Sequence, residues 1–255
     1  MTEHGPASRR GPAGTAGSLA VWAAWLLATA LWTPLVLLAF LATAWWDRRR
    51  AIAGRTFRIG ARVLLLLNPW WRVRIEGTLP PRDLRPFVAV CNHESLADIV
   101  LVGTLPWDMK WLSKASIVRM PFLGWMMRLA GDVSVRRGDA DSRTASYARL
   151  KTWVERGASV MIFPEGTRSR TPELLPFRSG AFRLALETGR PILPIAVSGT
   201  RDAIRKGSMR FGRADVRLRV LPPVSVSGRT LDDLADLRDE VRSLIEAARD
   251  SPPAS

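Results

Sequence analysis

The stretch FVAVCNHESLADIVLVGTL, residues 87–105, contains the change of pattern that decides the fold. Its first five residues, FVAVC, form an apolar run with the length and composition of a buried strand. The residues from 96 to 105 are again largely apolar but are numerous enough for a helix, and the polar segment NHES separates the two runs. A strand that passes through a polar loop into a helix is the building unit of α/β proteins, so the stretch predicts one such unit.

The same alternation extends on both sides of that unit, over residues 71–250. The apolar runs predict strands at 72–76, 87–91, 109–112, 132–136, 159–163, 192–197 and 216–221. Helices are predicted at about 96–105, 115–130, 141–156 (capped by Asp141 or Ser142), 179–188 and 230–249. Because strands alternate with helices, we predict an α/β fold with a mostly parallel central sheet flanked by helices.

An uncharged segment of 28 residues, from 19 to 46, precedes this domain. As one helix it would be about 42 Å long, more than the ~30 Å hydrocarbon core of a bilayer requires. Pro34 divides the segment, so the pattern allows a tilted or kinked single span or a re-entrant pair of half-helices. The segment is too long for the apolar region of a cleaved signal peptide, which favours a retained membrane anchor.

Six arginines lie between residues 47 and 62, whereas two precede the apolar segment. This bias predicts that the chain after residue 46 lies on the cytoplasmic face of the inner membrane. The run FRIGARVLLLLNPWW, residues 57–71, is typical either of an interfacial helix or of an ordinary core helix. The resulting domain prediction is a disordered leader at 1–17, a helical membrane anchor at 18–70, the α/β domain at 71–250 and a disordered tail at 251–255.

The net charge of +15 is concentrated in residues 71–230, where 27 lysines and arginines face 14 acidic residues. Such a basic region suits a phosphate-bearing partner or an anionic surface. No RNA-binding or helix-turn-helix pattern accompanies it, so we expect no nucleic-acid partner. The single cysteine, Cys91, excludes an internal disulfide, and with His93 the only histidine in the predicted domain we expect no metal centre.

Polar clusters follow four of the predicted strands at their carboxyl ends. Because ligand sites of parallel sheets lie at this edge, the four loops are expected to face one cleft. The clusters are NHESLAD, RRGD, PEGTRSR and SGTR, which follow the strands at 87–91, 132–136, 159–163 and 192–197.

His93 and Asp98 are the first candidate pair in that cleft. Residues five apart on one helix diverge by about 140°, so the two side chains meet only if His93 lies in the loop and Asp98 in the first helical turn. The carboxylate would then hold one imidazole nitrogen and leave the other as a base. The alternative, a capping histidine beside a helix-start aspartate, fits this loop equally well.

The segment FPEGTRSR, residues 163–170, is the second candidate. Its hydroxyls and guanidinium groups suit a phosphate, although a solvated turn with surface arginines has the same composition. Arg137 and Lys114 lie at the ends of neighbouring strands and are expected to face the same cleft. The chain contains neither a phosphate-binding G-x-x-x-x-G-K-[ST] loop nor a G-x-S-x-G nucleophile turn, so neither of those site classes is expected.

Four motifs occur in a fixed order: N-H-x-S-x-x-D at 92–98, GDVSVRR ending at Arg137, FPEGTRS at 163–169 and PILPIAVSG at 191–199. In this order and spacing they resemble the glycerolipid acyltransferases typified by 1-acyl-sn-glycerol-3-phosphate (lysophosphatidic acid) acyltransferase. The resemblance covers roughly residues 72–222, and Lys114 matches the family's lysine. Arg136 departs from it, because relatives often carry an acid there.

The resemblance implies an enzyme in which His93, oriented by Asp98, is the general base that activates the free hydroxyl of lysophosphatidic acid. The acyl group would come from acyl-CoA or acyl carrier protein as co-substrate, with no other cofactor, and the product would be phosphatidic acid in the bilayer. The residues that the resemblance assigns to the substrate phosphate are Arg137, Glu165, Gly166, Thr167, Arg168 and Lys114.

Two alternatives remain at this point. The first is the same chemistry on another lyso-lipid, such as a lyso-ornithine lipid or a glycolipid. The second is a non-catalytic membrane protein that binds anionic lipid, although such a protein would not need a histidine base.

Overall fold

Seven strands form one sheet at the centre of the protein, for which a computed structural model describes residues 14–251. The spatial order is β1-β7-β6-β2-β5-β3-β4, and every pairing is parallel except that of β6 with β7. The prediction of a mostly parallel sheet is therefore confirmed. The strands are β1 (Trp71–Gly77), β2 (Val88–Cys91), β3 (Met109–Lys114), β4 (Val133–Val135), β5 (Ser159–Ile162), β6 (Ile192–Ser198) and β7 (Ala214–Val220).

Helices cover both faces of the sheet, and β2 shows why its residues are all apolar. Val88 and Val90 point into one core, whereas Ala89 and Cys91 point into the other, because successive side chains of a strand alternate between faces. Two layers of core thus enclose the central strand. The helices are α1 (Thr15–Thr43), α2 (Ala51–Leu66), α3 (Ala97–Gly103), α4 (Ala115–Val118), α5 (Leu123–Ala130), α6 (Ala140–Glu155), α7 (Gly180–Thr188), α8 (Thr200–Ala203) and α9 (Leu234–Asp250).

Two helix predictions were wrong in detail. The single helix predicted at 115–130 is two helices, α4 and α5, because Pro121 follows α4 and Phe122 adopts a left-handed backbone with φ of 59°. The predicted caps of α6 are already inside the helix, and Asp139 is the cap, accepting a hydrogen bond from the backbone of Ser142 at 2.8 Å.

Helix α1 is one continuous helix of 29 residues that contains Pro34, so the alternative of two half-helices is wrong. Within residues 14–251 it is the one helix long and apolar enough to cross a membrane. It begins at Thr15, inside the leader predicted at 1–17. The rest of that leader, residues 1–13, and residues 252–255 of the predicted tail lie outside the described residues.

One side of α1 lies along the α/β domain. Trp22 donates a hydrogen bond to the carbonyl of Met209, Trp25 donates to that of Leu64, and both indole rings contact Phe211. The opposite side exposes a row of leucines, so it is available to lipid. The most exposed of them are Leu19, Leu26, Leu27, Leu31, Leu38 and Leu41.

Helix α2 has features of both helix types that the sequence left open, and it spans 51–66 rather than 57–71. Its inner face is part of the core, since Arg58 forms a buried ion pair with Asp132, with nitrogen–oxygen distances of 2.6 and 2.8 Å. Its last turn exposes 85% of Leu66. The helix is thus integral to the domain and still presents apolar surface beside α1.

Candidate active site

The carboxyl ends of β2, β3, β4, β5 and β6 lie at the same edge of the sheet, because these strands are parallel in the pairings that connect them. The loops that follow them carry the polar clusters identified in the sequence. The structure therefore places the four predicted loops along one edge, as expected for a ligand cleft of an α/β protein.

His93 and Asp98 meet as the loop-and-helix geometry requires. His93 lies in the loop after β2, and Asp98 is the second residue of α3. The Nδ1 atom of His93 is 2.8 Å from Oδ2 of Asp98, and the Asp98 side chain is fully buried. The same Oδ2 accepts backbone N–H groups from Glu94 and Ser95 at 2.7 and 2.8 Å, so the carboxylate is held in one orientation.

The other side chains of this loop anchor it to neighbouring strands. Asn92 forms two hydrogen bonds with the backbone of Val197 in β6, at 2.8 and 2.9 Å. The hydroxyl of Ser95 donates to the carbonyl of Ile204 at 2.7 Å. The carbonyl of His93 accepts the backbone N–H of Ser169 at 2.9 Å, which joins the loop to the segment after β5. The imidazole is consequently mounted on a rigid support.

Glu165 contributes to that support. Its Oε1 accepts the backbone N–H of His93 at 2.7 Å, and its Oε2 accepts that of Leu175 at 3.1 Å. Burial raises the pKa of this carboxyl, and the two N–H donors act against that rise. A buried carboxylate with both oxygens accepting backbone bonds is poorly suited to contact an anion, so the geometry favours a positioning role over the predicted contact with phosphate.

Two further residues near His93 are Phe163, which contacts its ring, and Cys91, which precedes it at the end of β2. The ring of Phe163 stacks on His93 with centroids 4.2 Å apart and an interplanar angle of 22°. Cys91 is fully buried in β2, and burial together with the charge of Asp98 raises the pKa of its thiol well above its ordinary value. A thiol in that environment is unreactive, which agrees with its predicted place in the core.

A cluster of cations lies on the segment after β5 and its neighbours, and Ser169 of this segment is hydrogen-bonded to the carbonyl of His93. Burial, followed by the charges of Arg178 and Arg168, lowers the pKa of Arg137. Lys206 donates to the carbonyl of Arg168 at 2.7 Å and to the hydroxyl of Thr167 at 3.4 Å. Burial, followed by the charges of Arg170, Arg168 and Arg137, lowers the pKa of Lys206. Cations held this close to one another suit an anionic ligand.

Sequence reasoning missed two members of this cluster, Arg178 and Lys206. The guanidinium of Arg178 lies over Gly166, where an added Cβ would come within 2.9 Å of its Nε, and Gly166 has a φ of +70°. Glycine is therefore required both by the backbone and by the close approach of the arginine. Arg178 lies in the segment LPFRSGAF, residues 175–182, which follows the FPEGTRS motif and also matches the family pattern, whereas the loop containing Lys206 offered no signal.

The remaining predicted residues lie at the rim of the cleft. Lys114 is exposed at the end of β3, where it is paired in register with Val135, two residues before Arg137. Arg136, which departs from the family pattern, is exposed and forms an ion pair with Asp139 at 2.9 Å. Because Asp139 is the cap of α6, Arg136 contributes to the start of that helix.

A cavity of about 540 Å³ opens next to Phe163 and Gly166, between the sheet and helices α6 and α7. This volume is within the range of ligand pockets. Its walls are mainly apolar, and four arginines are among the polar residues that line it. The apolar residues include Leu112, Val135, Leu150, Ile162 and Phe163, and the arginines are Arg137, Arg143, Arg178 and Arg183.

Glu94, between the base and Ser95, is a buried acid that the sequence analysis left without a role. Burial and the charge of Asp98 raise its pKa to about 7. Its Oε1 is 3.8 Å from the guanidinium of Arg249 in α9, and Arg249 also donates to the carbonyl of Pro172 at 2.7 Å. The loop after β2 is thereby linked to the last helix. Among residues 14–251 no three His, Cys, Asp or Glu side chains form a metal-binding group, and the expectation of a metal-free enzyme stays a prediction.

Comparison with known proteins identifies acyltransferases among the relatives of this chain. A family model described as Acyltransferase matches residues 72–198. The chain is 38% identical over 182 residues to a chloroplastic 1-acyl-sn-glycerol-3-phosphate acyltransferase of Brassica napus, covering 70% of this chain and 51% of the relative. It is 36% identical over 177 residues to the human 1-acyl-sn-glycerol-3-phosphate acyltransferase alpha, covering 67% of this chain and 61% of that one. The chain thus spans between half and three fifths of these relatives.

A solved structure has the same fold. The crystal structure of the 1-acyl-sn-glycerophosphate (LPA) acyltransferase PlsC from Thermotoga maritima superposes with a TM-score of 0.78. The match covers 94% of this chain and 97% of the other at 23% sequence identity.

Proposed function

Because the chain belongs to the acyltransferase family, we propose that it transfers a fatty acyl group from a thioester to the sn-2 hydroxyl of lysophosphatidic acid, giving phosphatidic acid. The observation that carries this proposal is the 2.8 Å contact of His93 Nδ1 with buried Asp98. A fixed carboxylate on Nδ1 leaves Nε2 as the basic nitrogen, which is the arrangement a hydroxyl nucleophile requires.

The reaction then proceeds without an acyl-enzyme. Nε2 of His93 takes the proton of the acceptor hydroxyl as that oxygen attacks the thioester carbonyl. The resulting imidazolium is stabilised by Asp98. Collapse of the tetrahedral intermediate breaks the carbon–sulfur bond, and the leaving thiolate takes the proton back from His93. The base is regenerated, and the products are the ester and the free thiol.

The acceptor's phosphate is assigned to the cation cluster. Arg137, Arg168 and Arg178 supply guanidinium forks and Lys206 supplies an ammonium group, so a phosphate dianion would be matched by several charge-assisted bonds. Thr167 and Gly166 act in this arrangement by placing Lys206 and Arg178. Lys114, at the end of the neighbouring strand β3, is proposed to assist in binding the phosphate.

The apolar cavity beside Phe163 is proposed to receive an acyl chain. It adjoins the base, and a fatty chain can be buried there without placing polar groups in the core. Whether the donor is acyl-CoA or acyl carrier protein is decided by the experiment below. Both donors are cytosolic. This suits the orientation in the inner membrane that the arginines after residue 46 predict. We propose no further cofactor and no metal.

The test uses the purified full-length protein in lipid vesicles. Lysophosphatidic acid and a panel of other lyso-lipids are supplied with each donor, and the released thiol and the lipid product are followed. Lysophosphatidic acid is expected to be acylated fastest. A faster rate with a phosphate-free lyso-lipid would assign the enzyme to another head group. No thiol release from any pair, by a protein with the unfolding temperature of a folded domain, would refute the transferase.

A further inference from the structure

The segment of residues 119–125, which joins α4 to α5 and includes the first turn of α5, exposes large apolar side chains. Met120 is 50% exposed and Trp125 is 48% exposed. The rings of Phe122 and Trp125 contact each other edge to face with centroids 5.3 Å apart. Clustered apolar exposure of this kind marks an interaction surface more often than scattered single residues do.

The backbone holds this connection, here called the α4–α5 turn, in a constrained form. Phe122 adopts a φ of 59°, which is rare for an aromatic residue. A Cβ added at Gly124 would come within 2.2 Å of the carbonyl oxygen of Val118, so the chain folds back tightly on α4. Strained backbone persists where the surrounding structure imposes it, and here its result is a fixed aromatic pair at the surface.

The α4–α5 turn is continuous with the apolar anchor. Leu123 and Met126, on the inner side of α5, line a small apolar cavity together with Ala28 and Trp32 of α1. At the other end of α5, the carbonyl of Arg128 accepts a hydrogen bond from Arg50 at 2.7 Å. Helix α5 therefore packs against α1, and the exposed turn at its start lies beside that helix.

Charge favours one class of partner for this surface. Arg119 is the first residue of the turn and Arg128 follows it on α5, and both are exposed. Basic side chains flanking tryptophan and other apolar residues are the pattern of proteins that insert into the headgroup region of anionic membranes.

We propose that the α4–α5 turn is a second membrane contact, in which Met120, Phe122 and Trp125 enter the headgroup region of an anionic bilayer beside α1. The proposal rests on α1 as the membrane anchor and not on the identity of the acylated lipid. Lys114 immediately precedes α4. Insertion of the turn would therefore hold the rim of the catalytic cleft at the bilayer surface, where the acceptor lies.

Depth measurements on the full-length protein test this directly. Trp125→Cys is labelled with an environment-sensitive fluorophore and inserted into phosphatidylcholine–phosphatidylglycerol vesicles. The matched control is Leu244→Cys, which is 41% exposed on α9, across the sheet from α1. Cys91 is buried, and labelling of the parent protein gives the background. The label at 125 is expected to be quenched by lipids carrying a shallow nitroxide and protected from iodide. The label at 244 should show the reverse.

A label at 125 that iodide quenches as strongly as the label at 244 would overturn the proposal. A second readout compares Trp125→Ser and Trp125→Phe in the acyl-transfer assay. The serine variant is expected to lose several-fold in rate on bilayer-embedded acceptor and to keep its rate on a short-chain, monomeric acceptor, while the phenylalanine variant keeps both. Equal loss of the serine variant on both acceptors would contradict the membrane role. The depth measurement needs no activity, so it stands even if the proposed transferase is refuted.

Discussion

His93 reaches Asp98 because the two residues lie on different elements, one ahead of α3 and one within its first turn. The contact buries a carboxylate that also accepts two backbone N–H groups, so the imidazole is oriented before any substrate binds. Orientation of this kind contributes to catalysis by removing the need for reorganisation in the transition state. The consequences of removing each partner differ and can be measured separately.

Replacement of His93 by alanine should reduce acyl transfer by about 10²–10⁴-fold, the usual contribution of a positioned general base. His93 is mostly buried against Phe163, so the thermal unfolding midpoint of the variant should be recorded in parallel. A rate within a few-fold of the parent would mean that His93 is not the base.

Asp98→Asn tests the partner through its charge. The amide can still accept backbone N–H groups, but it cannot stabilise an imidazolium. The rate should therefore fall, and the acidic limb of the pH–rate profile should change, because a general base loses activity where it is protonated. If both rate and profile are unchanged, Asp98 serves only to start α3.

The cation cluster predicts a loss that depends on the substrate. Removing Arg168 or Lys206 should lower kcat/KM for lysophosphatidic acid about ten- to a hundred-fold, since a hydrogen bond to a charged group contributes about 1.5–3 kcal/mol. The same lipid without its phosphate should lose much less. Arg190→Ala, at the opposite edge of the sheet before β6, is the matched control. Equal loss for both lipids would show that these cations only maintain the loop.

Glu94 predicts a pH dependence of stability. Its pKa in the folded protein, about 7, lies above its ordinary value of 4.5, so the folded state holds the proton more tightly. Stability should therefore fall as pH rises from about 4.5 to 7 and then level off. Glu94→Gln should remove this dependence and exceed the parent's stability at pH 8 by at most about 3 kcal/mol. Unfolding midpoints across pH 5–9 test this, with exposed Glu155→Gln as control. Parallel curves for parent and Glu94→Gln would contradict it.

The contact between His93 and Asp98 was predictable. A five-residue spacing across a strand–loop–helix boundary admits one geometry in which the two side chains meet. Arg178 and Lys206 were not predictable, because their positions depend on how distant loops fold back on the segment after β5. Nothing in the local pattern around Lys206 indicates that its ammonium group would reach the carbonyl of Arg168. The backbone bonds of Glu165 were equally inaccessible, since its two donors come from residues 72 and 10 positions away, and its assignment to phosphate stays a prediction.

At the level of elements, all seven predicted strands are present. The central strand β2 is a short apolar run, whereas β1 and β7 alternate apolar with charged residues. The pairing of the strands was harder to predict. The antiparallel pairing of β7 with β6 is a long-range arrangement that no run of residues specifies. The helix break at Pro121 carries a clear signal in hindsight, because the residue before a proline avoids helical backbone. The inner face of α2 is the larger surprise, since Arg58 appeared to belong to the anchor's positive flank.

Because of the buried Arg58–Asp132 pair, removal of α2 is expected to destabilise the domain much more than removal of α1 alone. A protein lacking residues 1–46 keeps α2 and should fold in detergent. A protein lacking residues 1–70 also loses the partner of Asp132 and the cover of one sheet face, and breaking a buried ion pair alone costs about 3–5 kcal/mol. We expect a cooperative thermal transition for the first and none for the second. Equally stable products would show that α2 is only an appendage.

For the whole molecule, two separate forces are expected to hold the domain at the membrane. The exposed side of α1 supplies apolar area, and residues 71–230 carry 13 more basic than acidic charges. Both features are expected to contact the same bilayer, since the lipid-accessible side of α1 and the cleft belong to one domain. The hydrophobic contribution is insensitive to salt at moderate concentration, whereas attraction between exposed charges weakens as the Debye length falls from about 10 Å at 0.1 M to about 3 Å at 1 M.

Salt should therefore separate the two forces. In co-sedimentation with phosphatidylglycerol-containing vesicles, the full-length protein should stay bound between 0.1 and about 1 M salt, because burial of α1 does not depend on screening. The protein lacking residues 1–46 should bind at low salt through its basic surface and dissociate as salt rises. Vesicles of phosphatidylcholine alone should retain the full-length protein and fail to retain the truncated one. Release of the full-length protein by salt would show that α1 is not buried in lipid. Salt-resistant binding of the truncated protein would mean that α2 and the α4–α5 turn together supply enough apolar contact to hold the domain without α1.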